Sequence, residues 1–171
     1  MSAQSIQYSF PRIVLVVTLL VIVSAISAGA QQNQAQPTVR FINPSTLEQN
    51  PRFTHIVEVT GGRMIFISGQ APTDKNGQVV GKGDFRRQAQ QVFDNIKAAL
   101  DAVGATPDDV VKLTSFIVDM QKNLPAYREV RRQMFDKNAH PPGSTTVGVS
   151  SLVNPDCLLE VEATVVLKDK Q

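Results

Sequence analysis

The sequence predicts an α+β domain, a mixed β-sheet with two helices packed on one of its faces. Three observations predict it. Residues 84–103 and 124–135 repeat apolar side chains at helical spacing. Other stretches alternate apolar and polar residues with period two, the longest at residues 158–167. The main elements run strand, strand, helix, strand, helix, strand, strand, which sets two helices against one sheet rather than alternating them regularly.

The elements follow in chain order. Arg12 is the only charged residue ahead of an apolar run, residues 13–23, that only Thr18 interrupts. Small residues ending in Ala28-Gly29-Ala30 come next. A basic flank, a short apolar stretch and an Ala-x-Ala end form a secretory signal peptide, expected to be cleaved after Ala30. The run is shorter than the roughly 18–20 residues that span a bilayer, so no stable membrane anchor is expected after cleavage. This places the protein in the periplasm or outside the cell. Residues 31–38, rich in Gln, read as a disordered linker, and residues 39–168 as the folded domain.

Within the domain, residues 39–42 form a short strand candidate ended by Asn43-Pro44. Residues 55–59 and 64–68 are β-rich and flank Gly61-Gly62, a pair suited to the positive φ angles of a tight hairpin turn. The first helix carries Phe85, Ala89, Val92, Phe93, Ile96, Leu100 and Val103 on one stripe, with Asp84 as N-cap and Gly104 just past its end. Residues 110–118 alternate as a strand. The second helix places Tyr127, Val130 and Met134 on its apolar stripe, with Asn123 as cap and Pro125 in its first turn. Residues 145–149 are strand-like. In the last strand Leu159, Val161, Ala163 and Val165 share one face, and Glu160 and Glu162 the other. Several strands are apolar at nearly every position, which leaves a second apolar sheet face and argues for oligomerisation.

Composition removes several functions. The 171 residues carry a formal net charge of +2, too little for a nucleic-acid binder. One cysteine allows no intrachain disulfide, and Cys157, next to an apolar strand, reads as a buried structural thiol. Two histidines and one cysteine cannot build a His/Cys zinc site, so no metal is expected. No Walker loop, HExxH, GxSxG or GxGxxG is present.

The polar candidates are few. Glu160 and Glu162, two apart on a strand, point the same way, which suits an acid/base pair if that face lines a cleft and a solvated face if it does not. Ser68-Gly69-Gln70 closes a strand, and its glycine permits close approach of a ligand or of another backbone. His55 opens a strand, a place equally suited to a structural hydrogen bond. Arg128, Arg131 and Arg132 lie on adjacent turns of the second helix and read as its solvated face, although such a cluster can bind an anion; Arg86 and Arg87 read the same way.

Taken in order, these segments resemble the RidA/YjgF family of reactive-intermediate deaminases. Phe53-Thr54-His55 is similar to the family's early aromatic-Ser/Thr-His segment. The stretch Gly61-Gly62-Arg63-Met64-Ile65-Phe66-Ile67-Ser68-Gly69-Gln70 resembles its hairpin ending in Ser-Gly-Gln. Gln91-Val92-Phe93-Asp94-Asn95-Ile96, Pro141-Pro142-Gly143-Ser144-Thr145-Thr146-Val147-Gly148-Val149 and Leu159-Glu160-Val161-Glu162-Ala163 resemble its first-helix, late loop-strand and final-strand motifs. The resemblance implies a chorismate-mutase-like fold and a homotrimer whose sheets form a central barrel, with small-molecule clefts between subunits. It also implies cofactor-free hydrolysis of 2-imino or enamine acids to 2-keto acids. There a final-strand glutamate, here Glu160, activates water, and a late-loop arginine grips the substrate carboxylate.

That arginine falls at Ser144, which offers one neutral hydrogen bond instead of a charged two-donor fork. A different arginine, such as Arg52 or Arg128, can compensate only by reaching in from elsewhere. Two functions are therefore expected. One is a hydrolase of imine, enamine or related C–N compounds with an altered substrate, using Glu160 as catalytic residue and Ser68, Ser144, Thr146 and His55 as substrate-binding residues. The other is a non-catalytic trimer that binds a small metabolite or acts as a chaperone.

Overall fold

A computed structural model describes residues 38–167 apart from 136 and 139. The expected signal peptide, and the linker up to residue 37, lie outside the described residues. The strands are β1 (Thr38–Ile42), β2 (Ile56–Thr60), β3 (Arg63–Gln70), β4 (Val110–Val118), β5 (Gly143–Val149) and β6 (Leu159–Leu167). The helices are α1 (Phe85–Val103) and α2 (Met120–Phe135). A single 3₁₀ turn at Pro107–Asp109 leads into β4.

The main sheet has the order β3-β6-β4-β5. Central β6 runs antiparallel to both β3 and β4, and β4 runs parallel to β5 with α2 as the crossover. Both helices cover the same face, α1 against β3 and β6, α2 against β4 and β5. The expected mixed sheet with two helices on one face is the architecture found. Leu113, Ile117, Leu159, Val161 and Val165 point from the strands into this core and meet Val92, Ile96 and Leu100 of α1, all almost fully buried.

Local chemistry explains the helix ends. Asp84 caps α1 by accepting from the Arg87 amide at 3.1 Å. Gly104 ends it at φ 71°, a left-handed conformation that glycine adopts without strain. The second helix departs from expectation. It starts at Met120 rather than Leu124, after Asp119 turns the corner at φ 50°. Asn123 is therefore not its cap; it lies inside the first turn, and its amide donates back to the Val118 carbonyl at 2.8 Å. Pro125 is tolerated because the carbonyl its missing N–H leaves free belongs to Gln121, which is exposed to water.

The turn at Gly61-Gly62 has the expected positive φ angles, 73° and 87°, but β2 and β3 do not form the expected hairpin. β2 pairs with β1, and β3 pairs with β6, so the glycines carry the chain from a two-stranded ribbon into the main sheet. The long apolar β6 competes for β3 across Arg63↔Leu167 to Gln70↔Val161, a far more extensive partner than the five-residue β2.

Two amides on α1 set the geometry of both ends of the sheet. Gln88, fully buried, donates from Nε2 to the Asp156 carbonyl (2.8 Å) and accepts at Oε1 from the Leu158 amide (2.7 Å). Asn95 donates to the carbonyls of Ala71 and Thr73, both at 2.9 Å, and is itself oriented by Gln91 at 2.8 Å. Gln88 thus fixes the start of β6 and Asn95 the exit of β3. Gln88→Leu leaves two part-buried backbone groups unpaired, so it is expected to cost about 1–3 kcal/mol in urea unfolding. A loss under about 0.5 kcal/mol, the scatter of neutral surface changes, would show that the start of β6 does not need this clamp.

Candidate functional site

Pairing register decides which polar residues meet. On β6, Leu159, Val161 and Ala163 enter the core, so Glu160 and Glu162 lie on the outer sheet face opposite Phe116 and Thr114. On β3, Ile65 and Ile67 turn toward the core, which puts Ser68 on the same outer face. A bulge between Ile67 and Gln70 sets Ser68 and Gly69 together against the single residue Glu162. The Glu160 carboxylate lies directly over Gly69. A Cβ added there would fall 1.9 Å from Oε1 and 2.7 Å from Cδ of Glu160, so no larger residue fits beside that carboxylate as it stands. Ser68, Gly69, Glu160 and Glu162 form one outer-face cluster, flanked by Met64 and Phe66, 53% and 74% exposed.

Ser144 and Thr146 face the other way. They pair with Leu113 and Ser115, both buried on the helix side, and so look toward α2. There they line a groove of about 940 Å³ between α2, β5 and the loop at Arg52 and Phe53. His55 is elsewhere again. Its Nε2 donates to the Glu48 carbonyl at 2.7 Å, its backbone amide donates to Asn43 Oδ1 at 2.9 Å, and Phe53 meets its ring edge-on. It borders a smaller cavity of about 330 Å³ that also reaches Lys112, Ser144 and Thr145. Thr54 closes the two loops on each other by donating from Oγ1 to the Pro141 carbonyl at 2.7 Å. Ser144, at the sheet edge, borders both cavities.

Within a single chain, then, the five residues expected in one cleft divide into an outer-face pair (Glu160, Ser68), a groove pair (Ser144, Thr146) and His55 at the second cavity. Neither arginine named as a substitute for Ser144 stands out there. Arg52 and Arg128 border the groove but are exposed. Arg131, read from the sequence as part of a solvated face, is instead the arginine turned inward. Its Nη1 donates to the Arg52 carbonyl at 3.0 Å, and its guanidinium lies 5.6 Å from the centre of the Phe135 ring. Burial pushes its pKa below the usual arginine value, partly opposed by Tyr127. The signal was in the spacing: Met120, Leu124, Tyr127 and Arg131 recur every three or four residues and share the face of α2 that lines the groove.

Glu129 accepts from both Nη atoms of Arg86, at 2.5 and 2.7 Å, which holds its carboxyl below the usual range. Cys157 is buried, and its thiol is pushed up by burial and then by Asp156 and Glu160, so it is a poor nucleophile. Among the described residues no group of three His, Cys, Asp or Glu side chains is placed to hold a metal ion.

A mixed four-stranded sheet with two helices on one face, and polar clusters at its edge and on its uncovered face, defines the class of fold. The particular family follows from comparison. Residues 45–167 match the family model described as Endoribonuclease L-PSP, and the chain belongs to that family, which the RidA/YjgF proteins share. A RutC family protein of Pyrococcus horikoshii is 40% identical over 106 residues, 61% of this chain and 80% of that protein. A protein of Dermatophagoides farinae named 2-iminobutanoate/2-iminopropanoate deaminase is 34% identical over 107 residues, 63% of this chain and 80% of its own. The crystal structure of a Rid family protein of unknown function from Yersinia pestis superposes with a TM-score of 0.71 at 37% identity, covering 75% of this chain and 98% of that one.

Proposed function

We propose that this protein hydrolyses imines or enamines without a cofactor, at the outer-face cluster of Glu160 and Ser68, in a homotrimer that covers this face. The observation that carries the reading is the seating of the Glu160 carboxylate on Gly69 in a family that includes an imine deaminase. The absence of a side chain at Gly69 lets the Glu160 carboxylate lie close against the β3 backbone, and a base placed in advance loses less by reorienting during the reaction.

The chemistry needs only water. Glu160 takes a proton from water as the water oxygen bonds to the imine carbon and the C=N π electrons move to nitrogen. Glu160 returns that proton to the nitrogen, giving a neutral carbinolamine; it then takes the carbinol hydroxyl proton and passes it to the nitrogen as the oxygen electrons form the C=O bond, the C–N bond breaks with its electron pair on nitrogen, and ammonia leaves. Glu160 ends as the carboxylate. Ser68 donates a hydrogen bond to the developing charge. Each proton transfer by a positioned carboxylate contributes roughly 10²–10⁴-fold.

Assembly is the second part of the reading. Met64, Phe66 and Val147 are exposed on the uncovered sheet face, at 53%, 74% and 41%. Exposed apolar side chains on an uncovered sheet face are stabilised by burial against other copies. It also brings a neighbouring surface over Glu160, which excludes bulk water. Ser144 favours the alternative, a trimer that binds a metabolite without turning it over, because a neutral hydroxyl stands where the resemblance implies a charged anchor.

Turnover separates the two readings. With imines generated in place, from amino acids by an amino-acid oxidase and from simple amines by an amine oxidase, and semicarbazide trapping to report imine lifetime, the purified protein is expected to accelerate hydrolysis, foremost of imines that carry no carboxylate. Glu160→Gln is expected to lower the rate by roughly 10²-fold or more. Gly69→Ala, which displaces the same carboxylate, is expected to lower it in the same direction with little change in Tm. No acceleration by a folded trimer selects the binding reading. For assembly, sedimentation equilibrium is expected to give a trimer, and Phe66→Asp to dissociate it. A wild-type monomer would refute the covered face.

A further inference from the structure

Arg131 offers more than its present contacts use. Its Nε and Nη2 are both buried and without a hydrogen-bond partner among the described residues. Leaving charged donors buried and unpaired is among the costliest arrangements in a folded chain. In a guanidinium, Nε–H and the adjacent Nη2–H are the two parallel donors of one edge, the edge that receives the two oxygens of a carboxylate. The third corner, Nη1, donates to the Arg52 carbonyl, and the guanidinium carbon lies over the Phe135 ring. The fork is therefore fixed in orientation with one complete bidentate edge unused.

The surroundings suit an organic anion. Arg52, Arg128 and Arg132 border the same groove, while Glu129, the acidic lining residue among the described residues, is already bound by Arg86. Phe53, Leu124 and Phe135 give it an apolar wall, and Ser144 and Thr146 add hydroxyls on the strand side. Its volume, about 940 Å³, admits a ligand of many heavy atoms. We propose that Arg131 is the anchor of a carboxylate-binding site in the groove between α2 and β5, taking small organic acids by a bidentate pair. The two donors are closed to bulk water, so an entering carboxylate must part the side chains that cover them. The same seclusion strengthens the pair once it forms.

The inference concerns binding and does not rest on hydrolysis at Glu160. Turnover without Arg131-dependent binding, or binding without turnover, tells the two apart. The test is calorimetric titration of the purified protein with acetate, pyruvate and phenylacetate, and with methyl pyruvate and inorganic phosphate as contrasts. At least one of the three acids is expected to bind. Methyl pyruvate is expected to bind at least roughly 30-fold more weakly than pyruvate, the fold-loss typical of removing one partner of a buried charged pair. Arg131→Met is expected to abolish acid binding while Tm holds or rises, because the variant removes a buried unpaired charge and keeps its bulk. Arg131→Lys, which restores the charge but not the fork, is expected to recover little of it. The proposal is overturned by any of four results: no acid binds; methyl pyruvate binds as well as pyruvate; phosphate binds more tightly than every acid; or either folded variant binds the acids as the wild type does.

Discussion

One side-chain amide holds the working parts of this molecule in register. Gln88 occupies a position on the apolar stripe of α1, yet it is fully buried because both ends of its amide are used by the turn before β6. A buried amide with one free end would cost free energy; with both ends paired it becomes a ruler. It sets where Leu159 enters the core, and therefore that Glu160 emerges on the opposite face. Asn95, two turns along the same helix, does the same for the exit from Ser68-Gly69-Gln70. One helix thus presents a glutamate and a serine from two non-consecutive segments on one patch of sheet.

The sheet has two faces with different obligations. The inner face is closed by α1 and α2 and makes the core. The outer face combines exposed Met64 and Phe66 with the Glu160 cluster, so the surface that favours association and the surface that carries a carboxylate are continuous. A separate polar site lies at the sheet edge, where α2 overhangs β5 and Arg131 turns under it. Natural chains retain buried unpaired charges where these do something that packing cannot. Here the structure keeps the cost low by binding one corner of the guanidinium and leaving one edge.

Much of this was legible in the sequence, for physical reasons. Period-two patterns located β4 and β6 and 3.6-residue patterns the bodies of both helices, since burial of one face imposes them, while β-rich runs between turn residues marked the other strands. Asp84 and Gly104 marked the ends of α1 because few other residues satisfy or tolerate those positions. Partnership was less legible. Gly61-Gly62 declared a turn but not which strands it would separate, because β6, nearly a hundred residues later, decides the pairing of β3. Asn123 looked like a cap and sits inside the first turn of α2, since Asp119 bends the chain earlier. At the site, the alternation in Leu159-Glu160-Val161-Glu162 fixed the outward face of the glutamates. Nothing in the local sequence said that Ser144 faces the opposite way. Arg131 was hidden by its neighbours: three arginines in five residues resemble a solvated surface, and only the spacing of Arg131 from Leu124 and Tyr127 marked the inward one.

The most direct test is a crystal structure of the assembled protein soaked in pyruvate. The account predicts a subunit arrangement that covers Met64 and Phe66, with a carboxylate spanning Nε and Nη2 of Arg131 in the groove beside Ser144. If the groove instead contains a neighbouring subunit's side chain paired to those two nitrogens, Arg131 is an assembly contact and the account of the groove is wrong.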